Sequence, residues 1–368
     1  MLRLRRCPSV FIGYCGSIEG ITDLFDRFIK TLAPGWFASV MGSAVAALAL
    51  RLLVGTYPAI EPLRWGADFF HWTAIFLFVG LTAALGLKLC RYPERVLRTL
   101  EHPVEGSFMA TFPISMLVMA GDWRAAGLDA GLVGLLWWAG AVLVFLFSYV
   151  ILSAIFSGDK LALNQLTPAH FIPAVGLVVI PVAGASLAGA AEGVMREVYF
   201  GINMMGFGAG VFMYVGLLAL AMGRHYLGMP IVGKMIPTVW VHLAPLSVIP
   251  LSLLSLLHAA GEADAIHYAT FVATAFLGAA SWWLVLALRM TLSAVRKGEL
   301  PFALSWWAFT FPIGALTVLT LRLSAQMGLT LLPVVGIGYA ILLILVWLAA
   351  AVGTLRAAMR GELIPREE

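Results

Sequence analysis

Residues 305–320 read SWWAFTFPIGALTVLT, a stretch apolar enough to cross a membrane. Phe311 and Pro312 stand near its middle, and Gly314 follows. A proline inside a helix removes one backbone hydrogen bond and clashes with the preceding turn, so the sequence predicts a kink here. A large ring beside a kink, followed by small residues, favours a helix that lines a passage. An ordinary kinked packing helix is the alternative, because proline and glycine are common in membrane helices.

Outside this stretch, the composition is that of an integral membrane protein. Of the 368 residues, 61% are hydrophobic and 11% are charged, whereas soluble domains carry about 25% charged residues. Ten runs are long enough to span a bilayer. They cover residues 34–54, 66–89, 104–121, 128–156, 168–190, 199–222, 237–258, 266–288, 302–323 and 330–353. These runs leave no room for a separate soluble domain, and the net charge of +4 gives no indication of nucleic-acid binding.

The sequence predicts three parts of the chain: an N-terminal segment (1–33), a ten-helix transmembrane domain (34–355) and a short cytoplasmic tail (356–368). Apolar residues from Ile18 to Leu32 recur at helical spacing, with charged residues on the other faces. This pattern is typical of an amphipathic helix lying in the membrane interface. Packing of the same helix as a cap on the bundle is equally compatible with the pattern.

Basic residues indicate the orientation. If both termini are cytoplasmic, most lysines and arginines fall on the inside, as the positive-inside rule expects. The outside keeps only Arg51, Arg64, Arg124, Arg196 and Arg322. This alternation requires ten spans, so it supports the number of spans as well as their direction.

A proline repeat predicts five helical hairpins. Pro34, Pro103, Pro168, Pro237 and Pro301 stand near the starts of the odd-numbered spans at separations of 69, 65, 69 and 64 residues. Because each unit holds two spans, all five units have the same orientation. Such repeats are related by rotation about the membrane normal, so five odd-numbered helices can form an inner ring around a quasi-fivefold pore. Helices about 9–10 Å apart would leave a lumen narrow enough for one phenylalanine ring to fill.

The predicted lumen is almost uncharged. His242 is the deepest ionisable residue of the odd spans, and Glu105 and His170 lie near span entries. An acidic ring that would select cations is absent from the sequence, and hydroxyls are available to solvate an anion weakly. These hydroxyls belong to Ser39, Ser43, Thr111, Ser115, Ser186, Thr238, Ser247, Ser305, Thr310 and Thr317. Nucleophile, phosphate-loop and metal-binding motifs are also absent, and the three cysteines are scattered, so we expect neither an enzyme nor a cofactor or metal site.

Four motifs in order resemble one family. Trp306 to Pro312, His102-Pro103-Val104, Pro168 to Pro173 with Pro181, and Pro237 to Pro245 resemble the ninth, third, fifth and seventh helices of the tellurite-resistance/dicarboxylate transporter family. That family includes TehA-like bacterial anion channels and the plant slow anion channels. The likeness runs from about Pro34 to about Gly353.

This resemblance implies an all-α membrane fold of five hairpins, a homotrimer with one pore in each protomer, and location in the bacterial inner membrane. It also implies a phenylalanine of the ninth helix that closes the pore, which matches Phe311, with Phe309 as the fallback. The pore-lining candidates are Gly42, Ser43, Phe112, Pro113, Phe171, Pro173, Pro181, His242, Pro245, Pro312 and Gly314. The N-terminal segment lacks the Ser/Thr-rich basic stretch that kinase control of the plant type would need.

Three functions remain open at the level of sequence. The first is an anion channel or channel-like exporter for small inorganic or organic anions, gated by Phe311. The second is a proton-coupled carrier for C4-dicarboxylates such as malate, or a tellurite or sulfite exporter, in which His170, His242 or Glu105 loads the substrate. The third is a haem-binding redox subunit, which needs histidines on facing helices at matched depth.

Overall fold

The computed structural model describes residues 24–158 and 161–363, and within these ranges the chain is helical and contains no β-strand. Ten helices are long and apolar enough to cross a membrane, which confirms the predicted number. We label them α1 to α10. They are α1 Pro34–Thr56, α2 Leu63–Arg91, α3 Val104–Ala125, α4 Ala130–Ser157, α5 Pro168–Ala190, α6 Gly193–Leu227, α7 Gly233–Ala260, α8 Ala263–Arg296, α9 Leu304–Met327 and α10 Leu332–Met359.

Two short helices lie outside the spans. One covers residues 24–31 and precedes α1, and the other is Pro93–Glu101, between α2 and α3. Ile29 of the first is fully buried, whereas Leu24 and Phe25 are half exposed. Residues 1–23, which carry the rest of the predicted amphipathic pattern, lie outside the described residues.

The spans divide into a buried set and an exposed set. In the most apolar window of each span, 72–89% of residues are buried for the odd-numbered helices, but only 22–28% for the even-numbered ones. The odd helices are therefore the inner layer of the protein, and the even helices cover them from outside.

Helix contacts follow the order of the chain. Each even helix packs against the odd helix that precedes it: α2 on α1, α4 on α3, α6 on α5, α8 on α7 and α10 on α9. Each odd helix also packs against the next odd helix, and α9 packs against α1. The contacts among the inner helices thus form a closed cycle, α1–α3–α5–α7–α9–α1.

Prolines near the starts of the inner helices lie in first helical turns and not at the kinks predicted from the sequence. Each inner span begins with a short helical segment. In α1 this is Pro34–Trp36, followed by a regular helix from Phe37, and in the other four spans it is Pro103–Met109, Pro168–Phe171, Gly233–His242 and Leu304–Phe309. The regular α-helix then starts at Thr111, Ile172, Leu243 and Thr310, and Pro113, Pro173, Pro245 and Pro312 each occupy its second or third position. Proline is tolerated in a first turn, since its missing N–H has no partner there. The prediction that Pro312 kinks a continuous helix was therefore wrong: the helix changes type just before it.

The span-opening prolines are also less uniform than their spacing suggests. Pro34 and Pro168 are the first residues of 3-10 segments. Pro237 instead lies inside Gly233–His242, and Pro301 precedes Leu304 by three residues. Only Pro181 and Pro250 lie in the interior of regular helices within the described ranges.

Candidate functional site

A small apolar cavity lies among the five inner helices. Its volume is about 30 Å³, close to the share of liquid volume that one water molecule occupies. Every odd-numbered helix contributes to its wall, and we call this wall the collar. The collar consists of Val45, Leu48, Leu117, Val118, Gly121, Val179, Val182, Val248, Leu251, Phe311, Ala315 and Val318.

Phe311 is the only aromatic residue of the collar. It is the second residue of the regular helix Thr310–Met327, and its side chain is 7% exposed. All the other collar residues are aliphatic or glycine, so the constriction offers an ion no hydrogen-bonding side chain. Passage of an ion would require the ring of Phe311 to move or the collar to widen.

A larger cavity of about 650 Å³ lies at the end where the inner helices begin. We call it the first vestibule. Its charged lining residues are the five cations Lys30, Lys88, Arg95, Arg98 and Lys234, with Glu105 as the single acid. A concave surface lined by one sign of charge raises the local concentration of the opposite ion, so this vestibule attracts anions.

The first vestibule lies in line with the collar. On α1, Ala38 lines the vestibule and Val45 lines the collar, seven residues or about 10 Å deeper along the helix. On α9, Ala308 lines the vestibule and Phe311 the collar. The Nζ atom of Lys88 donates a hydrogen bond of 2.8 Å to the carbonyl oxygen of Leu32, which fixes this cation at the vestibule wall.

A second vestibule of about 560 Å³ lies at the opposite ends of α5, α7 and α9. It shares Val182 and Leu251 with the collar, so it begins where the collar ends. Its polar lining residues are Ser186, Ser255, His258, Arg322 and Gln326. The inner helices therefore present two wide cavities separated by a short apolar constriction.

Glycines let α1 and α9 approach closely. A Cβ atom added to Gly42 would overlap the side chain of Thr310, and one added to Gly314 would overlap Val45. Both glycines are among the predicted pore-lining residues, and in the structure each contacts the neighbouring inner helix. Pro312, next to Phe311, is buried.

Phe309, the fallback for the gate, lies in a different environment from Phe311. Its ring packs against Trp240, with centroids 5.0 Å apart, and against Trp306 at 6.0 Å. The contact with Trp240 joins the short segments that open α7 and α9, whereas Trp306 belongs to the same segment as Phe309. The structure thus brings Phe311, and not Phe309, to the collar.

The remaining predicted residues on α1 and α3 contact neighbouring helices. Ser43 donates to the carbonyl oxygen of Ser39 and accepts a 3.0 Å hydrogen bond from Nε1 of Trp347 on α10. Phe112 packs against the rings of Phe37 and Phe78, and the adjacent Pro113 is buried in the first turn of its helix.

The predicted residues on α5 and α7 form a second aromatic group. His242 lies with its Nε2 atom 3.4 Å from Nε2 of His225, and it packs against Phe171 and Trp283. Its partners His225 and Trp283 belong to the outer helices α6 and α8, so His242 is part of the contact between hairpins. The buried prolines in this region are Pro173, whose carbonyl oxygen accepts from Ser148, and Pro181 and Pro245.

Most of the candidate hydroxyls bond to backbone carbonyls. Ser115, Thr310 and Thr317 donate to carbonyl oxygens three or four residues earlier in their own helices, a habit of Ser and Thr in helices. The same holds for Ser39, Ser43, Thr111, Ser186 and Thr238. Their donors are thus used within the fold, and Ser247 is the buried exception without a partner.

A buried ionic cluster joins three helices near the second-vestibule end. Asp122 of α3, 1% exposed, accepts from Nε of Arg51 at 3.1 Å and contacts Nδ1 of His71 at 2.5 Å. Arg51 also pairs with Asp68 at 3.0 Å. Sequence reasoning did not find this cluster, since its members come from α1, α2 and α3 and share no motif. Within the described ranges, no group of three or more His, Cys, Asp or Glu side chains could hold a metal ion.

Sequence reasoning also missed the roles of the vestibule cations. Lys88, Arg95, Arg98 and Lys234 served there only to orient the chain, and Arg322 was assigned only to the outside. One signal pointed to Arg322, because it is a charged residue inside an otherwise apolar stretch. Such residues commonly mark transport pathways.

Known proteins resemble this chain over most of its length. A family model described as SLAC1, voltage-dependent anion channel, matches residues 31–355. An uncharacterized transporter of Methanocaldococcus jannaschii is 32% identical over 91% of this chain and 97% of its own length. The sulfite efflux pump SSU1 of Arthroderma otae is 24% identical over 87% of this chain and 88% of its own. A tellurite resistance protein TehA homolog of Haemophilus influenzae is 25% identical over 77% of this chain and 79% of its own.

Proposed function

Because the chain belongs to the SLAC1 family of anion channels and transporters, we propose that it conducts small anions through a pore enclosed by its five inner helices and closed by Phe311. The family consists of channels and transporters, so the chain acts in transport and not as an enzyme. The observation that carries the proposal is the collar, where residues of all five inner helices surround one small cavity and Phe311 supplies the only ring.

The closed cycle of helix contacts supports a quasi-fivefold ring. Five hairpins of equal orientation, each packed on the next and the last on the first, enclose an axis between their inner helices. The transmembrane domain of this proposal covers residues 34–355, with residues 1–33 and 356–368 as cytoplasmic ends. The inner-membrane location and the homotrimer implied by the resemblance stay predictions, and mass measurement of the purified protein in detergent tests the trimer.

Charge supports anions over cations. An ion that approaches through the first vestibule meets five cations and one acid, and beyond the collar it meets Arg322. The collar itself is neutral, so it binds no ion tightly, and weak binding is what rapid conduction needs. Cations are repelled at both ends of the same path.

The decisive experiment is the substitution Phe311→Ala in planar bilayers. Removal of the ring opens the collar, and we expect anion conductance to rise at least tenfold over the wild type. Phe309→Ala is the matched control, because it removes the same ring from the contact with Trp240 and leaves the collar intact. Equal conductance of the two variants would contradict the gate. Reversal potentials under chloride, nitrate, malate and sulfite gradients identify the ion.

A coupled exporter is the second candidate, favoured by the similarity to a protein named a sulfite efflux pump. Glu105 lines the first vestibule and is placed to meet a substrate there, whereas His242 is enclosed between hairpins. In proteoliposomes, a coupled carrier takes up sulfite or malate only while a proton gradient is present, and Glu105→Gln removes that dependence. Flux that continues after the gradient is collapsed supports the channel.

A further inference from the structure

Arg322 is an exposed charged residue five positions before the end of α9, and it has no counter-ion in the part of the chain that the structure describes. It lies on α9, eleven residues beyond Phe311, where it lines the second vestibule. Among residues 24–158 and 161–363 it forms no ion pair or hydrogen bond, whereas Arg51 of the buried cluster at the same end pairs with two carboxylates. An intramembrane arginine of this kind normally faces a water-filled cavity and marks a functional site.

The wall beside Arg322 offers further polar groups. Ser255 and His258 are three residues apart on α7, so they share one face of the helix, and both line the cavity. The hydroxyl of Ser255 has no hydrogen-bond partner among the described residues. His258 is oriented by a 2.7 Å hydrogen bond between Nδ1 and the carbonyl oxygen of Leu254, which leaves its Nε2 atom directed away from its own helix.

Gln326 completes this wall one helical turn beyond Arg322. Its Nε2 atom donates a 2.6 Å hydrogen bond to the hydroxyl of Thr270 on α8, which holds the amide in place. The vestibule is bounded by α5, α7 and α9, all of the buried set, and its volume of about 560 Å³ leaves ample room for a small hydrated anion. Acidic side chains are missing from its lining.

The geometry points to a binding site for a small oxyanion in the second vestibule, with the guanidinium of Arg322 as its principal ligand and Ser255 as a donor beside it. This inference rests on the proposed anion pathway and adds to it a site on the far side of the collar from the first vestibule. The planar fork of arginine presents two parallel N–H groups, which match two oxygens of one anion, whereas a halide offers a single acceptor atom. The site therefore favours sulfite, sulfate or nitrate over chloride.

Binding to the purified protein tests the site without any need for transport. Sodium sulfite, sodium sulfate and sodium chloride are titrated at constant ionic strength into protein in a neutral detergent, with the thermal unfolding midpoint as the readout. We expect saturable stabilisation by the oxyanions beyond that by chloride, weakened at least fivefold in apparent Kd by Arg322→Gln. Arg322→Lys keeps the charge but loses the fork, so we expect intermediate weakening. Arg196→Gln, an exposed arginine at the same end of the membrane, is the matched control.

Flux through proteoliposomes of neutral phosphatidylcholine separates this inference from the function on which it rests. If the wild-type protein binds oxyanions through Arg322 but transports no anion, the binding site is supported and the proposed channel function is refuted. If the wild-type protein conducts anions and Arg322→Gln has the same half-saturating sulfite concentration, the channel function is supported and the binding site is refuted. Since the lipid is uncharged, binding retained in these vesicles also excludes an anionic lipid headgroup as the required ligand. If oxyanions raise the unfolding midpoint of the wild-type protein no more than chloride does, the site is refuted. This result does not depend on whether the variants fold.

Discussion

Phe309 and Phe311 show how two residues of one motif acquire different roles. They are two positions apart, which in a helix turns them about 200° from each other. One ring packs against Trp240 and the other enters the collar. The motif predicted that a phenylalanine would matter here, but the inner helices are apolar on all sides, so their pattern does not indicate which face points to the axis. Gly42 and Gly314 were predicted to line the pore, and in the structure they contact Thr310 and Val45.

At the scale of single residues, the substitutions Gly42→Ala and Gly314→Ala test the contact between α1 and α9. Each added methyl overlaps a side chain of the neighbouring helix, and overpacking of this kind costs about 1–3 kcal/mol. We expect a thermal unfolding midpoint several degrees lower in detergent. Gly338→Ala is the control, because a Cβ at this helical glycine would meet no atom within 4 Å. Unfolding midpoints equal to that of the control would contradict the close approach.

At the scale of the helices, hydrophobicity alone predicted the spans well, because a bilayer demands a fixed length of apolar helix. The change from a 3-10 segment to an α-helix before Pro173, Pro245 and Pro312 was not predicted, nor was the break between two α-helices at Ala110, before Pro113. A proline in sequence is compatible with a kink or with a first turn, and only the start of the surrounding helix distinguishes them. The vestibule cations were equally hidden, since they come from separate segments that meet only in the folded chain.

One carboxylate, that of Asp26, contributes to the attachment of the helix at residues 24–31 to the bundle. Asp26 accepts hydrogen bonds from the hydroxyl of Tyr92 at 2.6 Å and from Arg91 at 2.9 Å. The hydrogen bond from Tyr92, with a further contribution from Arg91, lowers the pKa of Asp26 below its ordinary value. A lowered carboxylate pKa stabilises the attachment above the ordinary value of about 3.9, and the effect is lost as the pH falls through the lowered pKa.

We therefore expect faster hydrogen exchange in residues 24–31 at pH 3 than at pH 6, after correction for the intrinsic pH dependence of exchange. Tyr92→Phe removes the stronger hydrogen bond, and it should raise exchange in this helix at pH 6 as well. Tyr268→Phe, an exposed tyrosine on α8, is the control. Exchange that is the same in Tyr92→Phe and in this control would show that Asp26 does not hold the helix.

At the scale of the whole molecule, the two vestibules differ in charge. The first vestibule carries five cations and one acid, whereas the second carries Arg322 alone. Anions are concentrated more strongly at the first end, so a pore between these vestibules should pass anions more readily from the first end than from the second.

Neutralisation of the first vestibule tests this asymmetry. In Lys234→Gln and Arg98→Gln we expect anion current from that end to fall severalfold at low ionic strength, with current from the opposite end changed less. The effect should shrink at about 1 M salt, where the Debye length is about 3 Å. Arg296→Gln, an exposed arginine outside the vestibule lining, is the control. Unchanged rectification in both vestibule variants would contradict the electrostatic account.

The contact between α9 and α1 has a consequence for biogenesis. The inner helices close only when the fifth hairpin meets the first, although more than 250 residues separate Gly42 from Thr310 along the chain. When only eight spans have been synthesised, Gly42 on α1 has no Thr310 to contact, and the cycle of inner-helix contacts is still open. The contact between the first and last inner helices can therefore form only after the fifth hairpin has been synthesised.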